Sequence, residues 1–451
     1  MTTADGTSWL YDVHVFPKNK TTYGGVTLVK TGTNDAKLKG VTFVLQKKKS
    51  DNTGWKNITK KESGNEDNLT LTTDGNGEIN VDGLSQGTYR FIETDRGADN
   101  FGYIMDGATT YEFTVNPDGT IKYGTNNPEA NITIPITNEK PDITKEVKDR
   151  STEDWKHATD YNVGDLVPYQ IKIKVPSNIT KLKAFKVTDT PKNLKDKTDT
   201  IELTYKNDSN VVTNVDANAY TIPPQGEGEN GFTIKFDPTK MAAYAGKTIV
   251  VTYSAELLSS AATTTDGNSN SAKLEYSNKI HPETEDPDNP NKPNPDPGKD
   301  TIEDKTVVYT FKFEIVKKAD SATGDGLIGV VFDLYKEVPA GTADAASIDD
   351  VKAAGLDSSK TWKKISTLTT GEGGVVSQSG LANGTYYLVE TKTVEGYNLL
   401  KAPVEVKLNI AYTTTTTETF VTVEGVKILV KSEVTKTEFK EGTSTSTGTH
   451  T

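Results

Sequence analysis

Cysteine is absent from this 451-residue chain. No disulfide can tie its domains together, and no thiolate can act as a nucleophile or soft-metal ligand. Aromatics make up only 8% and apolar residues 33%, too little for one large core but enough for several small ones. Histidine is scarce as well: His14, His157, His281 and His450 are dispersed and form no metal-ligand pair. A positive balance is also missing. The chain has 51 basic against 63 acidic residues, net charge −12, which argues against a general binder of nucleic-acid backbones. There is no run of about 20 apolar residues to span a membrane and no secretory leader. No phosphate loop occurs. Turnover of an external substrate is therefore not indicated, and no cofactor or metal is expected.

What the chain does have is threonine, glycine and period-2 alternation, an all-β signature. Length suggests about three domains. The first, 20–140, opens with Gly25-Val26-Thr27-Leu28-Val29-Lys30. It carries hairpin signals at Asp74-Gly75-Asn76-Gly77 and Pro117-Asp118-Gly119, and closes with Ile132 to Asn138. The second, 141–281, has a different grammar, with strands around Lys145, Phe185–Asp189, Ile249–Tyr253 and Leu274–Asn278 and a short helix expected over 238–245. Residues 282–304 read as a linker, because six prolines stand among Asp and Asn between 282 and 300. Its oxygen-rich run from Asp286 to Asp296 lacks the glycine and closing Glu of a calcium loop. The third domain, 305–451, contains an Ala- and Asp-rich insertion at 340–356, expected as a short surface helix, and a loose Ser/Thr/Gly-rich tail from about Thr437. Gly384-Thr385-Tyr386-Tyr387-Leu388-Val389-Glu390-Thr391 repeats the grammar of 87–94, so the first and third domains are distant internal repeats.

Strand parity exposes an oddity. Alternate residues of a half-buried strand face the core. In the first domain Lys30 shares a face with Val26 and Leu28, Glu93 with Tyr89 and Phe91, and Asn138 with Ile132, Ile134 and Ile136. A lone buried Lys or Glu is costly, so each should have a partner. Two accounts fit: an ion pair with an Asn hydrogen bond, or an isopeptide bond. In the second, burial favours the neutral amine and the neutral acid. The amine attacks the Asn amide, the acid polarises its carbonyl and shuttles protons, and ammonia leaves.

The stretch Trp9-Leu10-Tyr11-Asp12-Val13-His14-Val15-Phe16-Pro17-Lys18 has the spacing W-x3-V-x-V-[YF]-P-K. It resembles the pilin motif of sortase-assembled backbone pilins of Gram-positive bacteria. Trp9, Val13, Val15, Phe16, Pro17 and Lys18 fill the defined positions. The resemblance implies that Lys18 is the sortase acceptor joining one subunit to the next. The partners it implies are identical subunits in a head-to-tail covalent polymer and a pilus-specific sortase, on an extracellular, cell-wall-anchored pilus. It also implies that 1–19 is the remnant of a removed N-terminal domain. The first and third domains resemble the collagen-adhesin B-type (CnaB-like) module, and the second resembles the A-type (CnaA-like). Tandem immunoglobulin-like β-sandwiches are thus implied. In the first, Lys30 would be joined to Asn138 with Glu93 as catalyst. In the second, an Asp serves, and parity selects Lys145, Asp189 and Asn278. In the third, Glu390 is clear and Lys317 has the right parity, with Lys318 as the alternative. No partner Asn is found there: Asn409 lies on the opposite face, and the sorting signal the family places after the last strand is absent, so that strand was trimmed or the bond is lacking. The expected function is structural, with only single-turnover self-crosslinking. The competing expectation is an adhesin that binds a host surface or matrix ligand.

Overall fold

The computed structural model describes residues 22–62, 65–226, 228–280, 298–423 and 426–440, together with Gly6. Trp9, Val13, Val15, Phe16, Pro17 and Lys18 lie outside the described residues, as does most of the Pro-rich segment. Among the described residues nearly every element is a strand, joined by short 3₁₀ turns and one short α-helix. No helix there is long and apolar enough to cross a membrane. The chain forms two compact units, 1–139 with 279–296 and 140–278 with 297–451.

The first unit is a sandwich. One sheet has the order Asn131–Asn138, Gly24–Gly32, Glu78–Leu84. Gly24–Gly32 runs parallel to Asn131–Asn138, with Gly32 opposite Asn138 and Lys30 opposite Ile136. The other sheet is built on Thr42–Lys48, Gly87–Asp95 and Thr110–Val115. Period-2 patterning drives the assembly: Leu28, Phe43, Leu45, Phe91 and Ile134 are fully buried, and each contributes about 1.5–3 kcal/mol by leaving water. Phe113 stacks on both Tyr89 and Phe91, at 5.6 and 5.5 Å between ring centroids. The turn at Asp74–Gly77 reaches into this core. Asp74 Oδ1 accepts from the backbone of Asn76 and Glu78 at 2.9 and 2.8 Å, an Asx turn. Gly77 has φ +75°, and a Cβ there would overlap the Lys30 carbonyl. Only glycine therefore allows Gly77 O to accept from Lys30 N at 2.7 Å.

In the second unit, residues 140–278 and 298–309 form the next sandwich. One sheet is ordered Trp155–Lys156, Asp142–Lys148, Leu166–Lys174, Thr248–Leu257, Leu194–Lys206, Val212–Asn214. The facing sheet contains Thr233–Phe236, Phe185–Pro191, Asn268–Ser277 and Lys299–Tyr309. That last strand corrects the expected boundary. Composition places 299–304 in the linker and 305–309 in the third domain, yet ten consecutive positions pair antiparallel with Asn268–Ser277. The physical reason is that the inward-facing set is Asp300, Ile302, Asp304, Thr306 and Val308. Two carboxylates on the buried face hide the alternation from a hydropathy reading. In place of the helix expected over 238–245 there are two successive 3₁₀ turns, Pro238–Lys240 and Ala242–Tyr244.

The remaining sandwich repeats the first. Phe311–Val316 pairs with Val375–Leu381, and the facing sheet is ordered Thr361–Thr369, Val331–Val338, Gly384–Lys392, Val404–Leu408. The insertion carries the expected helix, Ile348–Ala353, capped by Ser347 Oγ accepting from Asp350 N at 3.1 Å. Backbone strands at Ala411–Val423 and Val426–Lys440 follow, the latter running past Thr437. The two sandwiches of this unit are stitched together. Asn162 Oδ1 accepts from Tyr386 Oη at 2.9 Å and from Ala382 N at 3.0 Å, and Val163 N donates to Gly380 O at 2.9 Å.

Candidate functional site: lysines inside the sandwiches

Each sandwich encloses a lysine beside a carboxylate. In the first, Lys30 ends the inward row of Gly24–Gly32, Asn138 ends the parallel neighbour, and Glu93 comes from the facing sheet opposite Phe43. Lys30 Nζ donates to Glu93 Oε2 at 2.9 Å and to Asn138 Oδ1 at 2.6 Å, and Asn138 Nδ2 donates to Glu93 Oε1 at 2.7 Å. The triangle is closed, and no member is more than 1% exposed. Burial pushes the Lys30 ammonium towards its neutral form, and burial likewise pushes the Glu93 carboxyl up, opposed by Lys30 itself. Both shifts act in the direction that makes an amine nucleophilic and a carboxyl a proton donor.

The second sandwich brings together Lys145, Asp189 and Tyr253. Lys145 Nζ makes short hydrogen bonds to Asp189 Oδ1 and Tyr253 Oη, and Tyr253 Oη donates to Asp189 Oδ2 at 3.0 Å. The amine sits 5.0 Å from the ring centroids of Tyr169 and Tyr253, which stack on one another. Burial pushes both phenols well up, so they stay protonated. The expected Asn278 is not here. It lies past the end of Asn268–Ser277, where its Nδ2 donates to Asp300 Oδ1 at 2.8 Å. Asp189 faces Ala272 across the ladder, so six residues of extended chain, about 20 Å, separate Asn278 from the cluster. The asparagine at the cluster is Asn270, fully buried and opposite Pro191. Its Nδ2 donates to Tyr253 Oη at 3.1 Å, and its Oδ1 is buried without a partner. Amine and amide thus share one phenol oxygen. The register picks Asn270, which has the same parity as Asn278, so its inward face is legible in the sequence and its height along the strand is not. Asp196, which the sequence reading does not single out, is 2% exposed beside Asp189. Its one signal is the inward parity it shares with Leu194.

In the third sandwich Lys317, and not Lys318, occupies the Lys30 position. Lys30 N and Lys317 N donate to Gly77 O and Gly374 O at 2.7 and 2.8 Å, and Lys30 O and Lys317 O accept from Leu38 N and Leu327 N. Gly374 has φ +75°, like Gly77. Lys317 Nζ lies 3.2 Å from Glu390 Oε2, which also accepts from Leu400 N at 2.9 Å. Among the described residues no asparagine joins them, and Glu390 Oε1 is buried without a partner. No metal-ligand cluster occurs among the described residues.

Residues 24–129 and 311–422 match the SpaA family, described as a prealbumin-like fold domain. These are the first and third sandwiches, and the protein is all-β with tandem prealbumin-like domains. No curated protein sequence matches. Among solved structures, the chain is similar to BcpA, the major pilin subunit of Bacillus cereus, at 26% identity and TM-score 0.51, over 86% of this chain and 96% of that one. It has the fold of the T6 backbone pilin of serotype M6 Streptococcus pyogenes, with 18% identity and TM-score 0.56 over 94% and 95% of the two chains. It also shares the fold of the major pilin SpaD of Corynebacterium diphtheriae, with 21% identity and TM-score 0.51 over 83% and 89%.

Proposed function

We propose that this protein is the backbone subunit of a covalent surface pilus, a structural protein whose only chemistry is internal crosslinking. The observation that carries the reading is the closed Lys30–Glu93–Asn138 triangle, buried in a domain of a chain that is similar over 86% of its length to a major pilin. An ordinary buried ion pair is a poor source of stability, because desolvation offsets most of the attraction. The same three groups are reactants once the amine is neutral and the carboxyl protonated, the direction in which burial pushes both. The Lys30 nitrogen attacks Asn138 Cγ, Glu93 carries protons between the groups, the Cγ–Nδ2 bond breaks and ammonia leaves. Lys145, Asp189 and Asn270 are assigned the same reaction in the second sandwich, with Asn270 in place of Asn278. The third, with Lys317 and Glu390 but no asparagine, is assigned none. Total mass should therefore fall short of the sequence mass by two ammonia molecules. A shortfall of three, read by intact mass spectrometry, would contradict the assignment of the third domain.

The assembly step assigned to Lys18 is acceptance of the threonyl carbonyl that sortase has cut from the preceding subunit. Pro17 restricts the backbone behind it, and Lys30 and Lys145, consumed within their own domains, do not compete for the neighbour. The test is Lys18→Ala in cells that carry the sortase. The ladder of polymers that survives boiling in detergent should vanish while monomer is still exported. A persisting ladder would refute the role of Lys18.

A further inference from the structure

Asp196 is a buried acid that the crosslinking scheme does not use. It stands in Leu194–Lys206, held by its own N–H donating to Asn230 O at 2.9 Å. The groups that act on it come from the strands packed around it: Asp189 from Phe185–Pro191, Lys145 from Asp142–Lys148, Tyr169 from Leu166–Lys174 and Tyr253 from Thr248–Leu257. Both of its carboxyl oxygens are buried and receive no donor group among the described residues; the polar group in contact with them is the Asp189 carboxyl. An ionised carboxylate left so would be costly. Burial, then the adjacent Asp189 carboxylate, hold Asp196 far above the usual carboxylate range, so it carries a proton at neutral pH. A neutral O–H beside a carboxylate has one productive use, which is to donate to it.

We propose that Asp196 is a positioning residue for the Lys145–Asn270 reaction, donating a hydrogen bond to Asp189 as Asp189 gives up its proton to the amide. The proposal rests on the crosslinking reading above. Lys145 passes one proton to Asp189, and the neutral amine attacks Asn270 Cγ. Asp189 lends its proton to the amide oxygen and is momentarily a carboxylate. Starting from the ammonium, the Lys145 nitrogen loses two protons: the first goes to Asp189, is lent to the amide oxygen and returns to Asp189 as the carbonyl re-forms, and the second completes ammonia on the departing nitrogen. The Lys145–Asn270 bond forms, the Cγ–Nδ2 bond breaks, and the proton of Asp196 is never transferred. Its part is to stabilise the transient charge on Asp189 from a fixed place in a dry site, where such donors are effective. Tyr253 holds the other side of Asp189 and aligns amine and amide on its one oxygen.

The test uses the full chain made by cell-free translation with a short labelling pulse, followed during the chase by the amount of crosslinked Lys145–Asn270 peptide. Asp196→Val, which has similar bulk but no donor, should slow bond formation tenfold or more. Asp196→Asn, which keeps an N–H donor, should restore at least a third of the normal rate. The pH profile separates this from mere packing. In the normal chain the rate should fall at the alkaline end as Asp196 ionises and turns from donor to acceptor, and in Asp196→Asn that fall should disappear. The first-domain Lys30–Asn138 peptide, counted in the same samples, reports that the chain has folded. Equal rates in the Val variant and the normal chain, an Asn variant as slow as Val, or the same alkaline fall in both would each overturn the role of Asp196 while leaving the crosslink in place. If the normal chain yields no Lys145–Asn270 peptide, the crosslinking reading fails first and this role falls with it.

Discussion

Asn138→Ala should return one ammonia to the intact mass and lower the melting temperature of the first domain by about 15–30 °C. Lys30 and Asn138 are 108 positions apart. By the chain-entropy relation used for disulfides, tying a loop of roughly 100 residues contributes about 4.7 kcal/mol, and each kcal/mol moves the melting point of a domain this size by roughly 3–6 °C. The choice of variant matters. Glu93→Ala also blocks the reaction, but it strands the Lys30 ammonium in the core, which by itself costs about 3–5 kcal/mol. Asn138→Ala leaves the Lys30–Glu93 pair intact, so its loss of stability reports chiefly on the covalent bond. Mechanical resistance should change even more. The bond links the two parallel neighbours Gly24–Gly32 and Asn131–Asn138, the first and last strands of the domain, so pulling on its ends loads a covalent link before the ladder. A normal chain whose mass equals the sequence mass would end the crosslinking reading for this domain. Calorimetry of the two chains side by side measures the rest.

Much of this arrangement is legible in the amino-acid sequence. Parity alone turns Lys30, Glu93, Asn138, Lys145 and Asp189 inward, because charged residues in line with Val, Leu, Phe and Ile on alternating strands have nowhere else to point. Parity has a period of two, however, and carries no information on position along a strand. Asn268, Asn270 and Asn278 are equivalent to it, and only the long-range pairing of Phe185–Pro191 with Asn268–Ser277 separates them. The strand Lys299–Tyr309 escapes a sequence reading for a related reason. Asp304 faces inward because its Oδ2 accepts from Lys145 N at 2.7 Å, a partner supplied from 159 residues away and invisible to any local window. The choice between Lys317 and Lys318 likewise depends on the backbone. Glycines 77 and 374 clamp equivalent lysines in the two repeats, and neither glycine differs in its local sequence from an ordinary turn residue.

The same limit sets up a clean discrimination in the second domain. Asn270→Ala should abolish the Lys145 crosslink, and Asn278→Ala should leave it whole. Asn270 reaches the Tyr253 oxygen that also binds the Lys145 amine, whereas Asn278 is engaged with Asp300 at 2.8 Å. The tied segment runs from 145 to 270, that is 270 − 145 = 125 positions, so its closure contributes about 5 kcal/mol by the same relation. Asn270→Ala should therefore cost the second domain a drop in melting temperature comparable with that of Asn138→Ala in the first, together with the return of one ammonia. Asn278→Ala loses a single half-exposed hydrogen bond, about 0.5–1.5 kcal/mol, and no mass beyond the substitution itself. Tryptic mapping decides the matter: the branched peptide should contain Lys145 and Asn270 and persist in the Asn278 variant. If it persists in the Asn270 variant and disappears with Asn278, the acceptor is Asn278 and the strand must slide to deliver it. If it survives both substitutions, neither residue is the acceptor and Lys145 is joined elsewhere or not at all.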